Sequence, residues 1–201
     1  KAEAEALAKA EAEAQALAEA EALAQAEAQA LADALPPPEP TPAEACREGY
    51  AEIPSKETHG AFCIQKLEYH GGEKRPLRRV KYDDAVLKCA AELGRLCTAQ
   101  EFSAACGGAY PYGSRFSRNK CNVMSSFFEP RPVRPGGSFS GCVSPHGVYD
   151  LSGNVAEWTY DWHLAEFYMF SSKTNPVGPD KGQYKVIRGG NWRSSMEDVS
   201  M

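Results

Sequence analysis

Seven cysteines are the residues of this sequence with the widest choice of chemistry. They stand at positions 46, 63, 89, 97, 106, 121 and 142, and no two have the C-x-x-C spacing of zinc knuckles or thioredoxin-type sites. The irregular intervals favour disulfides between distant parts of one fold, with reduced buried thiols and metal ligands as the alternatives. Because the number is odd, at least one thiol has no partner within this chain.

Four histidines, His59, His70, His146 and His163, are the other candidate metal ligands. Their positions do not give the spacing of a paired ligand motif. Each is therefore predicted to be a surface or loop residue.

Length and charge limit the number of domains and the kinds of partner that this chain can have. The 201 residues suffice for one ordinary domain, alone or with an accessory segment. The net charge is −5; residues 1–35 carry two lysines and eight acids, so residues 36–201 are at +1. A body this close to neutral argues against nucleic-acid binding by bulk electrostatics. No membrane span and no secretory signal are visible, and the chain is interpreted as a mature or clipped fragment.

The first 35 residues place alanine at every even position from Ala2 to Ala34. Strict alternation is typical of a strand, but Ala, Glu, Gln, Leu and Lys form helices well, and β-branched and aromatic residues are absent. We therefore predict a helical spacer over residues 1–35. One heptad frame puts several leucines at core positions but also puts Glu21 there and omits Leu23, so a weakly self-associating coiled coil is the alternative.

Five prolines between positions 36 and 42 follow this helix. Proline does not continue a helix and favours extended geometry, so residues 36–45 are predicted to be a stiff linker. A cysteine-rich domain on such a stalk is typical of an extracytoplasmic protein, periplasmic or secreted, that is tethered to a surface.

Residues 46–201 are predicted to form one α+β domain of short elements: an extended piece, two helices and two strands. In order, they span Phe62–Tyr69, Tyr82–Gly94, Thr98–Cys106, Val155–Trp158 and Tyr184–Arg188. Gly94 provides the stop of the first helix. Thr98, with Glu101 three residues on, gives the second helix a capping box.

Three tryptophans and one arginine stand out in the C-terminal half. Trp158, Trp162 and Trp192 are predicted to be core aromatics, with a ligand platform as the alternative. Arg188, beside two glycines, is predicted to hydrogen-bond loop carbonyls rather than to face a groove.

Four pieces of sequence, in this order, resemble the formylglycine-generating enzyme family, also called sulfatase-modifying factor domains. They are LKCAAELGRLCTAQEFSAAC (87–106), YPYG (110–113), GVYDLSGNVAEWTYDW (147–162) and VIRGGNW (186–192). The pieces GNVAEW and RGGNW are the most specific. The resemblance implies a compact, loop-rich α+β fold related to C-type lectins for residues 46–201, and it implies nothing about residues 1–45.

Active members of this family oxidise a sulfatase cysteine to formylglycine, with oxygen and a copper(I) ion held by two thiolates. Copper(I) prefers sulfur to oxygen donors. The family's two cysteines correspond to Ser194 and Val199 in this sequence. A hydroxyl and a hydrocarbon do not replace thiolates, so the resemblance implies no catalytic residue in this chain and argues against copper. Two thiols that converge in a central cleft would overturn this expectation.

A second catalytic branch of the family makes sulfoxides with non-haem iron. Its histidine ligands come from an attached helical domain. Residues 1–35 contain no histidine, so this branch is not favoured.

The resemblance also implies a structural calcium ion in the segment GVYDLSGNVAEW. Carried over residue by residue, the donors are the side chains of Asp150 and Glu157 and the main-chain carbonyls of Gly153 and Val155. Calcium takes six to eight oxygen donors of these kinds. The alternative is an Asx-type turn followed by a strand with a charged face.

Two positions weaken parts of this comparison. Ala156 stands where the family usually has tryptophan, which removes packing beside the site. A second family calcium site would begin at Asn122–Val123, but the loop that follows offers only Glu129 as an acid. We do not predict that second site.

The resemblance also bears on the cysteines. Cys89 and Cys106 match helix cysteines whose disulfide partners come later in the family than position 201, so the chain is interpreted as C-terminally truncated or divergent. Among the rest, Cys46–Cys63 and Cys121–Cys142 are the expected bridges, which leaves Cys97 over. Sequence alone does not fix the connectivity.

These inferences predict a noncatalytic sulfatase-modifying-factor-like domain with a structural calcium ion, used for binding or scaffolding outside the cytoplasm. Its expected ligand is an unidentified protein or glycan. The alternative is a formylglycine-generating-type oxidase whose catalytic cysteines lie outside this chain. A purely structural spacer protein would require residues 1–35 to be the working part.

Overall fold

A computed structural model describes residues 14–16, 19, 20, 23, 46–54, 58, 60–124, 131–164 and 178–200. The predicted spacer and linker, residues 1–45, lie mostly outside these ranges; the six residues described there are helical and exposed. Their boundaries and their self-association therefore stay predictions. Within the described part of the chain, no helix has the length and apolar character needed to cross a bilayer.

The domain begins with a two-stranded antiparallel sheet of β1 (Tyr50–Ile53) and β2 (Phe62–Gln65). Burial alternates along both strands, so one face of this hairpin packs on the core. The sequence did not predict β1, and β2 ends four residues before the expected Tyr69. The predicted Cys46–Cys63 disulfide is confirmed and ties the first residue of the domain to β2.

Helix α1 (Tyr82–Ala91) confirms the first predicted helix but ends earlier than Gly94. Leu93, not Gly94, adopts the left-handed conformation, with φ 56°. The Leu93 amide then donates to the Ala90 carbonyl at 3.0 Å, and the Gly94 amide donates to the Cys89 carbonyl at 2.9 Å. This pair of bonds is a Schellman turn in which a non-glycine residue holds the strained position.

Helix α2 (Ala99–Cys106) forms where the capping signal predicted it. The Thr98 hydroxyl accepts from the Glu101 amide at 3.1 Å, and the Glu101 carboxylate accepts from the Thr98 amide at 2.8 Å. Arg95 donates to both oxygens of the same carboxylate. Gly107 ends the helix in a left-handed conformation.

A second antiparallel pair contains β3 (Glu157–Trp162) and β4 (Lys185–Arg188), with a register irregularity between Trp158 and Trp162. Strand β3 starts two residues later and extends four residues further than predicted. A short 3-10 helix (Glu197–Val199) follows. The two helices, two small sheets and long irregular connections confirm the α+β fold class.

The buried residues form two clusters. One joins the hairpin to α2 and includes Ile53, Phe102 and Leu151. The other includes Val199 and the confirmed Cys121–Cys142 disulfide. The three tryptophans are only half-buried and lie outside both clusters, so their prediction as core aromatics is wrong.

Candidate functional site

The segment Asp150–Val155, called the carboxylate loop below, is buried at every residue. Three of its residues have positive φ: Asp150 at 58°, Gly153 at 89° and Asn154 at 50°. A Cβ atom on Gly153 would lie 2.5 Å from the Asn122 carbonyl oxygen, so only glycine allows the two chain segments to approach this closely. Buried strained backbone of this kind is typical of functional sites.

Asn154 connects the carboxylate loop to four other segments. Its amide nitrogen donates to the Asn122 carbonyl at 2.8 Å, and its own carbonyl accepts from the Trp192 amide at 3.1 Å. Its side-chain oxygen accepts from the Asn122 side chain and from the Arg134 amide. Its side-chain nitrogen donates to the Arg134 carbonyl and to Glu68. The Gly-Asn turn is therefore held in one conformation.

Glu68 is the functional-site residue that sequence reasoning missed. It follows β2 and is only 4% exposed. One oxygen of its carboxylate accepts from the Val155 amide at 2.8 Å, and the other accepts from the Asn154 side chain. In the sequence, Glu68 is one acid within the predicted extended piece Phe62–Tyr69, and its partners lie 86 and 87 residues away.

Three carboxyl groups at or beside this loop have pKa values that burial raises. Burial raises the pKa of Glu68 to about 9, and the charges of Glu157 and Asp150 add to the rise. Burial raises the pKa of Glu157 to about 7, again with a contribution from Asp150. Burial raises the pKa of Asp150 to about 6, although a hydrogen bond from the Gly137 amide opposes the rise. Charges confined in this way favour a cation as neighbour.

The four predicted calcium donors are brought to this loop and its exit. Asp150, Gly153 and Val155 belong to the carboxylate loop, and the half-buried Glu157 opens β3 directly after it. The Asn154 amide donates to the Asn122 carbonyl. Because the peptide bond before Asn154 is trans, the Gly153 carbonyl is directed to the opposite side, away from Asn122. Among the described residues, no group of three or more His, Cys, Asp or Glu side chains is arranged to hold a metal. The proposed donor set depends on two main-chain carbonyls as well, and its all-oxygen chemistry fits calcium.

Asn122, the start of the second family calcium site, uses its side-chain nitrogen on Asn154 and on the Pro132 carbonyl. Its side-chain oxygen is buried without a hydrogen-bond partner in the described part of the chain. Glu129, the acid that this site would need, lies outside the described residues.

Ser194 and Val199 meet at a second place, which we call the Gly190 corner. A Cβ on Gly190 would lie 2.7 Å from Val199 Cγ1 and 3.0 Å from Ser194 Oγ, so both side chains converge on this glycine. Val199 is fully buried beside the Cys121–Cys142 disulfide. The Ser194 hydroxyl accepts from the Asn191 amide at 3.0 Å. The corner thus brings together the two positions of the family's copper ligands, and neither carries sulfur.

A cavity of about 1080 Å³ lies between the β1–β2 hairpin, α1 and the start of α2. Glu68 and Glu157 line it, and so do the free thiols of Cys89 and Cys97. Burial raises the pKa of both thiols, that of Cys97 far above its ordinary value, and the charge of Glu157 adds to each rise. The neutral thiol is thereby favoured over the thiolate that copper requires.

A comparison with protein families agrees with this geometry. The model of the family described as "Sulfatase-modifying factor enzyme 1-like domain" matches residues 43–201. That match includes the carboxylate loop and the Gly190 corner. The chain belongs to this family.

Two curated relatives illustrate the range of the family. The serine/threonine-protein kinase pkn1 of Chlamydia caviae is 38% identical over 112 residues, which are 52% of this chain and 17% of that protein. The inactive C-alpha-formylglycine-generating enzyme 2 of Mus musculus is 33% identical over 147 residues, which are 66% of this chain and 41% of that protein. The chain therefore spans less than half the length of each of these relatives.

A solved structure supports the fold. PvdO from Pseudomonas aeruginosa aligns with a TM-score of 0.50 and 22% sequence identity, and the alignment covers 76% of this chain and 59% of that chain. At this identity the likeness concerns the fold alone. The formylglycine-generating-enzyme-like fold expected from the motifs is thus confirmed.

Proposed function

We propose that this chain is a noncatalytic member of the sulfatase-modifying factor family, a calcium-stabilised module that binds or scaffolds outside the cytoplasm. The observation that carries the proposal is the Gly190 corner. The hydroxyl of Ser194 and the buried hydrocarbon of Val199 occupy the two positions at which the family's oxidases hold copper(I). Without two thiolates there, the known chemistry of those oxidases has no metal to support it.

A copper(I) titration with a competing chelator tests the noncatalytic proposal. We expect the wild-type chain to bind no stoichiometric copper(I). A double variant, Ser194→Cys with Val199→Cys, is the matched positive control, because it places two thiols at the Gly190 corner. Tight one-to-one binding by the wild type would contradict the proposal.

The alternative, an oxidase of the formylglycine-generating type, is favoured by one observation. Cys89 and Cys97 are both free and line the same cavity. If the wild type binds copper(I), repeating the titration with Cys89→Ala and with Cys97→Ala decides whether these thiols are its ligands. Binding that disappears in both variants would establish the alternative.

Calcium is proposed for the carboxylate loop and Glu157. Support comes from the donor types and from three carboxyl groups whose pKa values are raised by burial, those of Glu157 and Glu68 also by the charge of Asp150. When bound, calcium would supply positive charge to this buried region and cross-link the loop to β3. The residues that would hold it are Asp150 and Glu157, with the carbonyls of Gly153 and Val155.

Thermal unfolding with and without calcium tests this assignment. Ligand binding to the folded state alone raises the midpoint, so calcium is expected to raise the midpoint of the wild type by several degrees over an EGTA sample. Asp150→Ala and Glu157→Ala should each abolish that increase. Absence of any increase in the wild type would remove the metal assignment.

An extracytoplasmic location is supported by the two disulfides, because such bonds persist in oxidising compartments. When this 201-residue chain is secreted by a host cell and denatured, a thiol assay should find Cys46, Cys63, Cys121 and Cys142 oxidised and Cys89, Cys97 and Cys106 free. Seven free thiols would contradict this location. The proposed ligand is a protein or glycan, and no nucleic-acid partner is proposed.

A further inference from the structure

Glu68 lies at the point where the carboxylate loop meets β2, and no part of the proposed donor set includes it. It is a buried acid whose two carboxylate oxygens are both hydrogen-bonded to the loop, one by the Val155 amide at 2.8 Å and the other by the Asn154 side chain. These two donors stand directly after Gly153 in sequence. One side chain therefore restrains the segment that carries both proposed carbonyl ligands.

Two main-chain hydrogen bonds also hold the residue that Glu68 contacts, Asn154. The Asn154 amide donates to the Asn122 carbonyl, and the Asn154 carbonyl accepts from the Trp192 amide. The Val155 amide is the remaining main-chain donor of this turn, and Glu68 accepts it. Without the Glu68 side chain, the peptide group between Asn154 and Val155 keeps the bond from the Trp192 amide but loses the acceptor of its own amide.

We propose that Glu68 is a positioning residue of the calcium site, which holds the Asn154–Val155 backbone so that the Gly153 and Val155 carbonyls are preset as metal donors. This inference rests on the calcium site of the proposed function and adds a residue to it. Glu68 contacts the loop and not, in this assignment, the ion. Groups that orient the ligands of a metal in this way typically change its affinity by about 10- to 100-fold.

Calcium titration calorimetry with CaCl₂ as the only ligand tests the proposal on the full chain. Glu68→Gln keeps the size of the side chain but replaces one of its two oxygens by an amide group that donates, so it no longer accepts from both the Val155 amide and the Asn154 side chain. We expect calcium to bind this variant at least about tenfold more weakly than the wild type. Glu52→Gln removes the same group from the exposed face of β1 and should leave the affinity unchanged.

A second readout separates positioning from general stability. Ile53→Val removes one methyl group from a fully buried residue of the cluster that joins the hairpin to α2. This variant should lower the unfolding midpoint equally with calcium and with EGTA, so the rise in midpoint on adding calcium should stay the same. Glu68→Gln should instead reduce this rise in midpoint. If Glu68→Gln does not fold, Glu68→Asp replaces it. This variant keeps the carboxyl group but is one methylene too short to reach both donors, and it should bind calcium several-fold more weakly.

The outcomes separate the two proposals. If the wild type binds calcium and Glu68→Gln, or Glu68→Asp in its place, binds it equally well, the positioning role is overturned and the calcium site stands. If the wild type binds no calcium, the calcium site is overturned and the role of Glu68 with it. Weaker binding by the Glu68 variants together with normal binding by Glu52→Gln supports both.

Discussion

The carboxylate loop and the Gly190 corner are in direct contact, yet they have departed from the family pattern to different degrees. The loop has oxygen-bearing side chains at the expected positions and a Gly-Asn turn, whereas the corner has a hydroxyl and a hydrocarbon where the resemblance implies two thiols. The two regions share hydrogen bonds: the Gly153 amide donates to the Gly189 carbonyl at 2.7 Å, and the Ser152 hydroxyl donates to the Val199 carbonyl at 2.8 Å. The corner thus supports the loop through its main chain, whereas the proposed function assigns no copper to its side chains.

This difference separates two demands on the same residues. Copper chemistry depends on side-chain sulfur, while support of the loop depends on main-chain carbonyls that almost any residue provides. Under the proposed function, Ser194 and Val199 do not meet the first demand, while the carbonyls of this region still meet the second. The predictions below test whether the loop really is the more constrained of the two regions.

The largest effect is expected for Gly153→Ala in the carboxylate loop. Its new methyl group would overlap the Asn122 carbonyl, and its φ of 89° is strained for any residue with a side chain. We expect the free energy of unfolding, from urea denaturation, to fall by at least about 3 kcal/mol. Gly147→Ala is the matched control, because its φ is 77° but nothing lies within 4 Å of the new atom; a loss of about 1 kcal/mol is expected there. Equal losses would show that the close approach of the two segments is unimportant.

In EGTA, Glu68 should make the largest contribution to the pH dependence of the free energy of unfolding. The pKa of Glu68 is about 9 when folded against 4.5 as the ordinary value. The folded state therefore binds more protons between these values, and its stability falls as pH rises. From pH 5 to pH 6.5 we expect Glu68 alone to lower the stability by about 2 kcal/mol. Glu68→Gln should make the profile less steep by this amount, whereas a slope unchanged in that variant would assign the effect to other groups.

Val199→Ala tests the corner. This side chain is fully buried and packs beside the Cys121–Cys142 disulfide, so its truncation leaves a cavity and should lower the unfolding free energy by about 2 kcal/mol. Because the Val199 carbonyl that supports Ser152 remains, the stabilisation by calcium should be unchanged. A loss of that stabilisation would mean that the two regions are not separable.

The smallest effect should be a gain, at a site outside both regions. Leu93 is left-handed and 91% exposed, so glycine there relieves strain without loss of packing. Leu93→Gly is expected to raise the unfolding free energy by about 1 kcal/mol. This gain should add to the Gly153→Ala and Val199→Ala losses, since the sites share no contacts described above; strong non-additivity in the double variants would link the end of α1 to the loop or to the corner.

Sequence predicted the local features of this domain well. The capping box of α2 lies within four residues, and its residue types leave little choice of structure. The hairpin strand β1 was missed because four residues carry too little periodicity. Leu93 was missed because glycine next to it offered an easier left-handed position. The calcium donors stay a prediction.

Glu68 shows why the rest of the site was harder to find. Its role depends on the carboxylate loop 86 residues later, and no local pattern records such a contact. The tryptophans were wrongly placed for a related reason. Aromatic residues are commonly buried, but here two of them lie beside charged side chains. Lys185 Nζ is 3.9 Å from the Trp162 ring centroid, and the Arg78 guanidinium is 5.6 Å from that of Trp192.

The bond between Cys46 and Cys63 has a mechanical consequence. A force applied through the residues before Cys46 acts on the disulfide to β2 before it acts on β1. Force is therefore passed around β1, and the hairpin cannot be unzipped from its free end while the link is oxidised. In a reducing environment this bond would open, and the same force would then separate β1 from β2.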